Sequence, residues 1–459
     1  MTSRWRQAAA PLYLFLCLIL GGSAQGVFAN MILQIVGLAL LSWAAIVPRS
    51  DGPSAIERQL YALVLLSLAL VAIQLVPLPA SVWPNLGGRD GLAAGYHVLG
   101  LALPPLSISV APYDSLATVL TMIPPLALLA VVLRIGARPL WLIAALLSGL
   151  FVGILLGILQ VGSASGSASP WYLYAETNVG LATGFFANAN HMATLLVISI
   201  PFLAALLASA RSKRGGLQHY SGMIALVTAA AVVVLAGLAL NGSLAGYGLA
   251  LPVILASILL LLRPRSPARV WVGIGTGLVL VAALAGLLVM PLGDSVIRSQ
   301  ATTSVETRHD ILSTSLAATD AFMPLGSGLG TFARVYALYE DHDRLDPTTA
   351  VNHAHDDYAE LALEMGVPGV LLTILFLLWW ARAALRTWTA GDAGPFARAA
   401  AVASAAILAH SIVDFPLRTA AISSCFAMCI ALLVRWRPAA AAPLIERTQA
   451  RAARHIVIH

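Results

Sequence analysis

One short stretch of the chain carries a high density of groups that can exchange protons. Residues 351–369, VNHAHDDYAELALEMGVPG, contain two histidines and four carboxylates, although charged residues make up only 10% of the 459-residue chain. A neutral imidazole at a boundary between water and lipid is suited to act as a general base near neutral pH. We therefore predict that His355 is a catalytic base, and that His353 and Asp357 contact the substrate.

The local structure of this stretch decides what these groups can do. A helix is predicted to begin near Asn352 and to run into the apolar segment that follows. His355 and Ala359 then share a face, and a carboxylate one turn away can orient the imidazole. Gly366 and Gly369 then either break the helix or let a neighbour approach closely. A solvated, charged start of a helix is one alternative. A metal site is another, because His-x-His-Asp-Asp offers nitrogen and oxygen ligands. Residues two apart on a helix do not share a face, however, which disfavours that alternative.

Further polar residues stand close to apolar segments. Arg308 lies beside a histidine and an aspartate, and its guanidinium could hold a diphosphate with two parallel hydrogen bonds; an ordinary solvated arginine is the alternative. The sequence FFANANH places Asn188, Asn190 and His191 at the start of an apolar segment. Polar groups at such a depth usually face protein or a cavity, so we predict that these three bind substrate. A helix N-cap at Asn188 is the competing interpretation.

Two other motifs favour structural roles. The segment 324–332, PLGSGLGTF, is rich in glycine, but no Lys-Ser/Thr follows it and no strand precedes it. It therefore predicts a tight turn and not a phosphate-binding loop. In HSIVDFPLR, His410 and Asp414 are four residues apart, which favours a structural ion pair or hydrogen bond, with a place in the site as the second interpretation.

The elements that must position these residues are membrane helices. The chain is 59% hydrophobic, whereas a soluble protein has about 25% charged residues, so lipid must surround most of it. The three cysteines all lie in apolar runs and suggest neither disulfides nor a zinc site. A spanning helix needs about 20 mostly apolar residues. Twelve stretches qualify: 10–27, 30–47, 59–76, 114–133, 139–160, 185–209, 220–240, 244–262, 270–290, 366–381, 399–413 and 418–434.

Charge predicts the orientation of these twelve segments. With the N-terminus in the cytoplasm, 20 of the 26 Lys and Arg residues fall in cytoplasmic segments and 16 of the 20 acidic residues fall outside. Because cytoplasmic loops are enriched in Lys and Arg, both termini are predicted to be cytoplasmic. The net charge of +6 is thereby explained by topology, and no nucleic-acid partner is needed.

The predicted organisation has four parts. They are residues 1–290 with nine transmembrane helices and an outer cap near 77–113, an outer loop at 291–365 that carries the motifs and short helices, three more transmembrane helices at 366–435, and a basic cytoplasmic tail at 436–459. The fold class is thus an all-α integral membrane protein with about twelve transmembrane helices and one large outer loop.

These motifs, in this order, resemble the bacterial superfamily of O-antigen ligases and O-antigen polymerases. The family pattern His-Asn/Ser/Gln-x9-Gly-x-x-Gly matches His355 to Gly369, with Asp356 in place of the usual second residue. Three further stretches are also similar to family motifs: the turn at 324–332, Phe-x-Asn-x-Asn-His at 186–191 and His-Ser-x-x-Asp-Phe-Pro at 410–416. The resemblance covers roughly residues 60–435.

The resemblance implies a GT-C-like membrane glycosyltransferase that uses neither a nucleotide sugar nor a metal, so no cofactor is expected. The donor would be a glycan on undecaprenyl diphosphate at the periplasmic face of the bacterial inner membrane. The acceptor hydroxyl would belong to lipid A-core or to another lipid-linked glycan, and the transfer would invert the anomeric centre. His355 would be the essential base and Arg308 the arginine that holds the diphosphate. Ligases and polymerases share these motifs, so both remain open.

One departure from the family pattern keeps other functions open. The family usually has a second arginine in a turn after the seventh span, where this chain reads NGSLAGYG with Leu244 at that position. An inactive family member is therefore one alternative. A twelve-helix transporter of a polysaccharide precursor is the other, although transporters tend to place ionisable groups near the middle of the bilayer. In this sequence such groups gather in the outer loop.

Overall fold

A computed structural model describes residues 4–48, 52–163, 169–212, 216–262, 296–341, 351–389 and 393–435. Throughout these ranges the chain is dominated by helices. The helices are α1 (Arg4–Leu20), α2 (Val27–Ile46), α3 (Ala55–Leu75), α4 (Asp90–Val98), α5 (Pro112–Thr121), α6 (Ile123–Arg134), α7 (Pro139–Gly162), α8 (Ala189–Ser212), α9 (Gly216–Asn241), α10 (Leu244–Leu261), α11 (Val296–Phe322), α12 (Phe332–Tyr339), α13 (Asp357–Thr389), α14 (Pro395–His410) and α15 (Ala420–Arg435).

Eight helical stretches within the described ranges are long and apolar enough to cross a membrane. They are α2, α3, the pair α5–α6, α7, α8, α9, α10 and α13, whereas α14 and α15 are shorter apolar helices. An all-α membrane protein is therefore confirmed. The ninth predicted segment, 270–290, and the predicted tail, 436–459, lie outside the described residues, so the number twelve stays a prediction.

Helix α8 forms the centre of the bundle and packs against α9, α10 and α14. Helix α14 is rich in alanine, and small side chains let membrane helices approach closely. Helices α2 and α3 are mostly exposed, as expected for helices that face lipid. The interior is therefore built around α8, α14 and α15, whose ends position the candidate site.

The segment predicted as an outer cap contains short regular elements. Strands β1 (Pro77–Leu78) and β2 (Leu106–Ser107) pair antiparallel, with a 3₁₀ turn at Trp83–Asn85 and helix α4 between them. The buried Arg89 donates hydrogen bonds to the backbone carbonyls of Gly87, Ile108 and Gly326. Burial lowers the pKa of Arg89 to about 10. The guanidinium thus fastens the cap to the glycine-rich turn.

The turn predicted at 324–332 is present, and it supports a break in α13. Gly326, Gly328 and Gly330 all have positive φ, which glycine adopts without strain. Gly366 interrupts α13 with φ 60° and ψ −156°, and the N–H of Val367 donates to the carbonyl of Pro324 at 2.8 Å. The alternative that a glycine breaks this helix is therefore correct, and the polar first part of α13 is separated from its apolar remainder.

Candidate functional site

The segment that carries His355 is neither helix nor strand, and the helix that follows it begins later than predicted. Helix α13 starts at Asp357, so the prediction of a helix from Asn352 is wrong, and His355 and Ala359 do not share a helix face. The Asp356 carboxylate accepts hydrogen bonds from two N–H groups of the first turn, at 2.8 and 3.0 Å, and thus acts as the N-cap. His355 has φ 52°, a left-handed conformation that is uncommon for a non-glycine residue. Such conformations persist where the surroundings impose them, often at functional sites.

A buried carboxylate, Asp414, is the point on which the predicted site residues converge. His355 Nδ1 lies 3.4 Å from Asp414 Oδ1, and Arg308 Nη2 lies 4.0 Å from Oδ2. The Asn190 side-chain amide donates a hydrogen bond to Oδ2, and that of Asn188 lies 3.5 Å from the same oxygen. Asp414 is fully buried, while the side chains of His355 and Arg308 are 28% and 31% exposed. The His355 imidazole and the Arg308 guanidinium therefore meet on the two oxygens of one carboxylate.

The surroundings keep Asp414 ionised. Burial alone would raise its pKa, but contact with the His355 ring and the nearby His191 and Arg308 hold the pKa of this carboxyl well below its usual range. An ionised carboxylate next to an imidazole fixes the orientation of the ring and stabilises the imidazolium that forms when the ring accepts a proton. Because Nδ1 of His355 faces Asp414, Nε2 is the nitrogen left to take that proton.

Sequence reasoning did not place Asp414 at the centre of the site. It predicted pairing with His410, but the His410 ring instead hydrogen-bonds the Thr194 hydroxyl, with 2.7 Å between Nδ1 and Oγ1. Asp414 follows His410 by one turn, since its N–H donates to the His410 carbonyl at 3.0 Å, but its carboxylate contacts His355, Arg308 and the two asparagines. The second interpretation, a place in the site, matches the structure. The sequence did indicate a special role for Asp414, because it is a single acidic residue between two apolar helices.

A second imidazole, that of His353, packs on the same aromatic ring as His355. His353 Nδ1 lies 2.9 Å from Glu360 Oε1, and the His353 ring stacks on Phe415 with centroids 4.1 Å apart. The His355 ring meets Phe415 edge to face at 5.0 Å. The two histidines thus face different carboxylates and do not converge on one point. In the described part of the chain no three His, Cys, Asp or Glu side chains gather as a metal ion would require.

The asparagines connect the starts of two helices. Asn188 Oδ1 accepts a hydrogen bond from the N–H of Asn190 at 2.8 Å, so it serves as a cap for α8 and also contacts Asp414. Asn190 Oδ1 accepts from the hydroxyl of Ser243 at 2.7 Å, and Ser243 caps α10. Helices α8, α10 and α13 all begin at this end of the bundle. Helix N-termini carry partial positive charge and favour anions nearby.

The structure also gives the surroundings of three further residues discussed in the sequence analysis. His191 is buried, and its Nε2 lies 3.9 Å from Asp414 Oδ1. Asp357 is also buried; it accepts a hydrogen bond from the Ser411 hydroxyl at 2.8 Å and lies 3.5 Å from Arg418 Nε. It therefore ties the start of α13 to the loop after α14. Leu244, where the resemblance predicts an arginine, is the first residue of α10 and is half exposed.

The fold and this site together define a multi-pass α-helical membrane protein with a histidine–carboxylate–arginine cluster at one end of its helices. Residues 229–374 match the family model described as O-antigen ligase, which confirms the resemblance found in the sequence and assigns this part of the chain to the O-antigen ligase and polymerase superfamily. Among curated proteins, none matches the chain. The matched residues include Arg308, His353 and His355, whereas Asn190 and Asp414 come from outside the match.

Proposed function

We propose that this protein is a glycosyltransferase of the O-antigen ligase and polymerase type. It moves a glycan from undecaprenyl diphosphate to a hydroxyl of lipid A-core or of another lipid-linked glycan, without a metal. The reaction takes place at the periplasmic face of the bacterial inner membrane, and both termini are cytoplasmic. The observation that carries the proposal is the meeting of His355 and Arg308 on the two oxygens of Asp414.

The reaction needs one base and a stabilised leaving group. The acceptor oxygen attacks the anomeric carbon and forms the new glycosidic bond, while the bond from that carbon to the diphosphate oxygen breaks with inversion. His355 Nε2 takes the acceptor proton, and the electron pair of the broken bond stays on undecaprenyl diphosphate. The Asp414 carboxylate stabilises the imidazolium in the meantime.

The diphosphate gains negative charge as it leaves, so donors aimed at it lower the barrier. The Arg308 guanidinium is one-third exposed and lies at the long distance of 4.0 Å from Asp414, which leaves its other N–H groups available to a phosphate. The N-termini of α8 and α10 add partial positive charge. These N-termini support the stabilisation of a leaving diphosphate in a chain that has Leu244 where a second arginine was expected. His353 remains the second imidazole with a partly exposed ring and is proposed to hydrogen-bond the substrate.

Replacement of the base tests the proposal. A deletion strain complemented with His355→Ala should lack the long surface glycan that the wild-type gene restores, as seen on a polysaccharide gel. His309→Ala is the matched control, because His309 is an exposed histidine one residue from Arg308. The control should restore the glycan fully. Normal glycan with His355→Ala, at equal protein level in the membrane, would refute the assignment of the base.

A further inference from the structure

A second charged cluster adjoins the site, centred on a partly buried arginine. The Arg418 side chain is 17% exposed and contacts three carboxylates of α13. Its Nε lies 3.5 Å from Asp357 Oδ1, its Nη2 lies 3.4 Å from Glu360 Oε1, and both terminal nitrogens lie 3.2 Å from Glu364 Oε2. Spacings of three and four residues place the carboxylates on one helix face, so one guanidinium reaches all of them.

Glu360 extends this cluster to the segment that carries the base. Its Oε1 lies 2.9 Å from His353 Nδ1, and its Oε2 accepts a hydrogen bond from the backbone N–H of Ala354 at 3.0 Å. Ala354 directly precedes His355. Glu360 thus fixes the backbone before His355, while the Asp356 cap fixes the backbone after it. These bonds hold the backbone on both sides of His355, the residue with the left-handed conformation.

Arg418 connects the cluster to the loop that carries Asp414, the carboxylate that faces His355. It ends the short 3₁₀ turn Pro416–Arg418, four residues after Asp414. The site requires His355, which precedes α13, and Asp414, which follows α14, to be brought together. The pair of Arg418 and Glu360 is one link between these two elements, and the hydrogen bond from the Ser411 hydroxyl to Asp357 is another. Arg418 and Glu360 form the link that also reaches the backbone directly before His355.

The burial of these charges favours a geometric role. Replacing a buried ion pair with packed apolar residues is often neutral or stabilising, so such a pair is weak evidence for stability and better evidence for a specified geometry. Glu360 and Glu364 are almost fully buried, and one guanidinium faces three carboxylates. Simple stabilisation of the bundle would not require this arrangement.

We propose that Arg418 and Glu360 are positioning residues, which set the distance between His355 and Asp414 without touching the donor or the acceptor. This inference rests on the proposed function. The 3.4 Å between His355 Nδ1 and Asp414 Oδ1 is the quantity that they control. Because a misplacement of about 1 Å can cost about 100-fold in rate, loss of the link should appear in turnover and not in donor binding.

The test uses two conservative variants of the full-length protein, purified in detergent and supplied with lipid-linked glycans extracted from the source bacterium. Glu360→Gln keeps the shape and an oxygen for the Ala354 N–H, but removes the charge that Arg418 contacts. Arg418→Lys keeps the charge and loses the forked geometry. We expect kcat to fall about 10-fold or more in each variant, with the KM for the donor within about two-fold of wild type. Glu176→Gln, at an exposed glutamate in the loop that leads to α8, is the control and should match wild type.

A double-mutant cycle separates positioning from a general structural defect. Asp414→Asn alone should lower kcat about 100-fold or more. If Glu360 acts through the His355–Asp414 contact, Glu360→Gln should cost little further once Asp414 is replaced. Multiplicative losses in the double variant would overturn the inference, as would wild-type turnover in both single variants. If the Arg418→Lys protein does not fold, the Glu360→Gln protein alone is sufficient for the test.

The same experiments distinguish this inference from the proposed function. Glycan transfer by the His355→Ala protein would refute the proposed function, whatever the other variants show. An inactive His355→Ala protein, together with wild-type kcat in Glu360→Gln and Arg418→Lys, would refute only the positioning role.

Discussion

At the scale of single residues, Asp414 is the group on which the site depends. It carries no sugar or phosphate contact in the proposed reaction, yet it pairs with the base and lies beside the cation. Two asparagine side chains add hydrogen-bond donors to one of its oxygens. A buried carboxylate with such partners is costly to protonate, which makes its ionisation measurable as pH-dependent stability.

The first prediction concerns acid stability. The folded pKa of Asp414 is depressed, so its contribution to stability is complete above the ordinary carboxyl value and is lost as the pH falls through the folded value. Thermal unfolding between about pH 3 and pH 6 should show a decline for the wild type that begins below about pH 4. Asp414→Asn should flatten this part of the curve, whereas Asp310→Asn, at an exposed aspartate, should not. Identical curves for Asp414→Asn and wild type would contradict the ion-paired state.

The second prediction concerns the cation. Arg308→Gln should raise the KM for the lipid-linked donor about 10-fold or more and should also lower kcat, because the guanidinium stabilises charge that grows as the diphosphate leaves. Arg334→Gln is the matched control, since Arg334 is an exposed arginine that pairs with Asp114 outside the site. Steady-state kinetics with lipid-linked donor extracted from cells measure both the KM and the kcat. Equal effects of the two substitutions would remove Arg308 from the site.

At the scale of elements, the site is assembled from helix ends and not from helix faces. The starts of α8, α10 and α13 and the loop between α14 and α15 each contribute one part. The first part of α13 is held at its place by the glycine turn: the N–H groups of Ser327 and Gly328 donate to the carbonyls of Leu363 and Glu364, both at 2.9 Å. The kink at Gly366 leaves those carbonyls free of the helical pattern. Helix α13 and the turn therefore depend on each other.

Gly366→Ala tests this dependence. A Cβ on Gly366 would lie 2.2 Å from the Pro324 carbonyl oxygen, and its positive φ is unfavourable for alanine. We expect a loss of about 1–3 kcal/mol in the free energy of unfolding, seen as a lower thermal midpoint in detergent. Gly248→Ala, in α10 with open space around the added carbon, should be neutral or slightly stabilising. A Gly366→Ala protein as stable as wild type would contradict the proposed packing of turn and kink.

Sequence patterns predicted the elements better than the contacts between them. Apolar length located the membrane helices, and unusual polar residues in apolar surroundings identified His355, Arg308 and Asn190. The start of α13 was placed too early, because the Asp356 cap looks like part of the helix in sequence. Asp414 was paired with His410, but the ring of His410 contacts Thr194 on another helix. Long-range contacts of this kind, across more than 50 residues, leave no periodic signal.

At the scale of the whole molecule, one end of the described bundle holds the candidate site, and several of the described helices expose apolar side chains. Many large apolar side chains of α2, α3 and α9 are exposed, as lipid-facing side chains would be. The acidic groups of α13 lie before its kink, in residues 357–364, and its two arginines, Arg382 and Arg386, lie towards its far end. Surface chemistry fits this distribution better than passage of a charged substrate through the bilayer middle, where transporters tend to place their sites.

The orientation of the bundle can be measured with cysteine labelling. The three native cysteines are buried, so labelling of the wild type should be low. Leu338→Cys, at a 73% exposed position in α12, should react with an impermeant maleimide added to spheroplasts. Arg138→Cys, in the exposed turn before α7, should react only after permeabilisation. The reverse pattern would place the candidate site in the cytoplasm and contradict a periplasmic transfer.

The most direct measurement follows the donor in proteoliposomes that contain only this protein, extracted lipid-linked glycan and an acceptor. Release of undecaprenyl diphosphate, together with a new glycosidic bond on the acceptor, is expected for the wild type and should be absent for His355→Ala. Movement of the intact lipid-linked glycan across the membrane, with no bond cleaved in either protein, would contradict glycosyl transfer and identify a transporter.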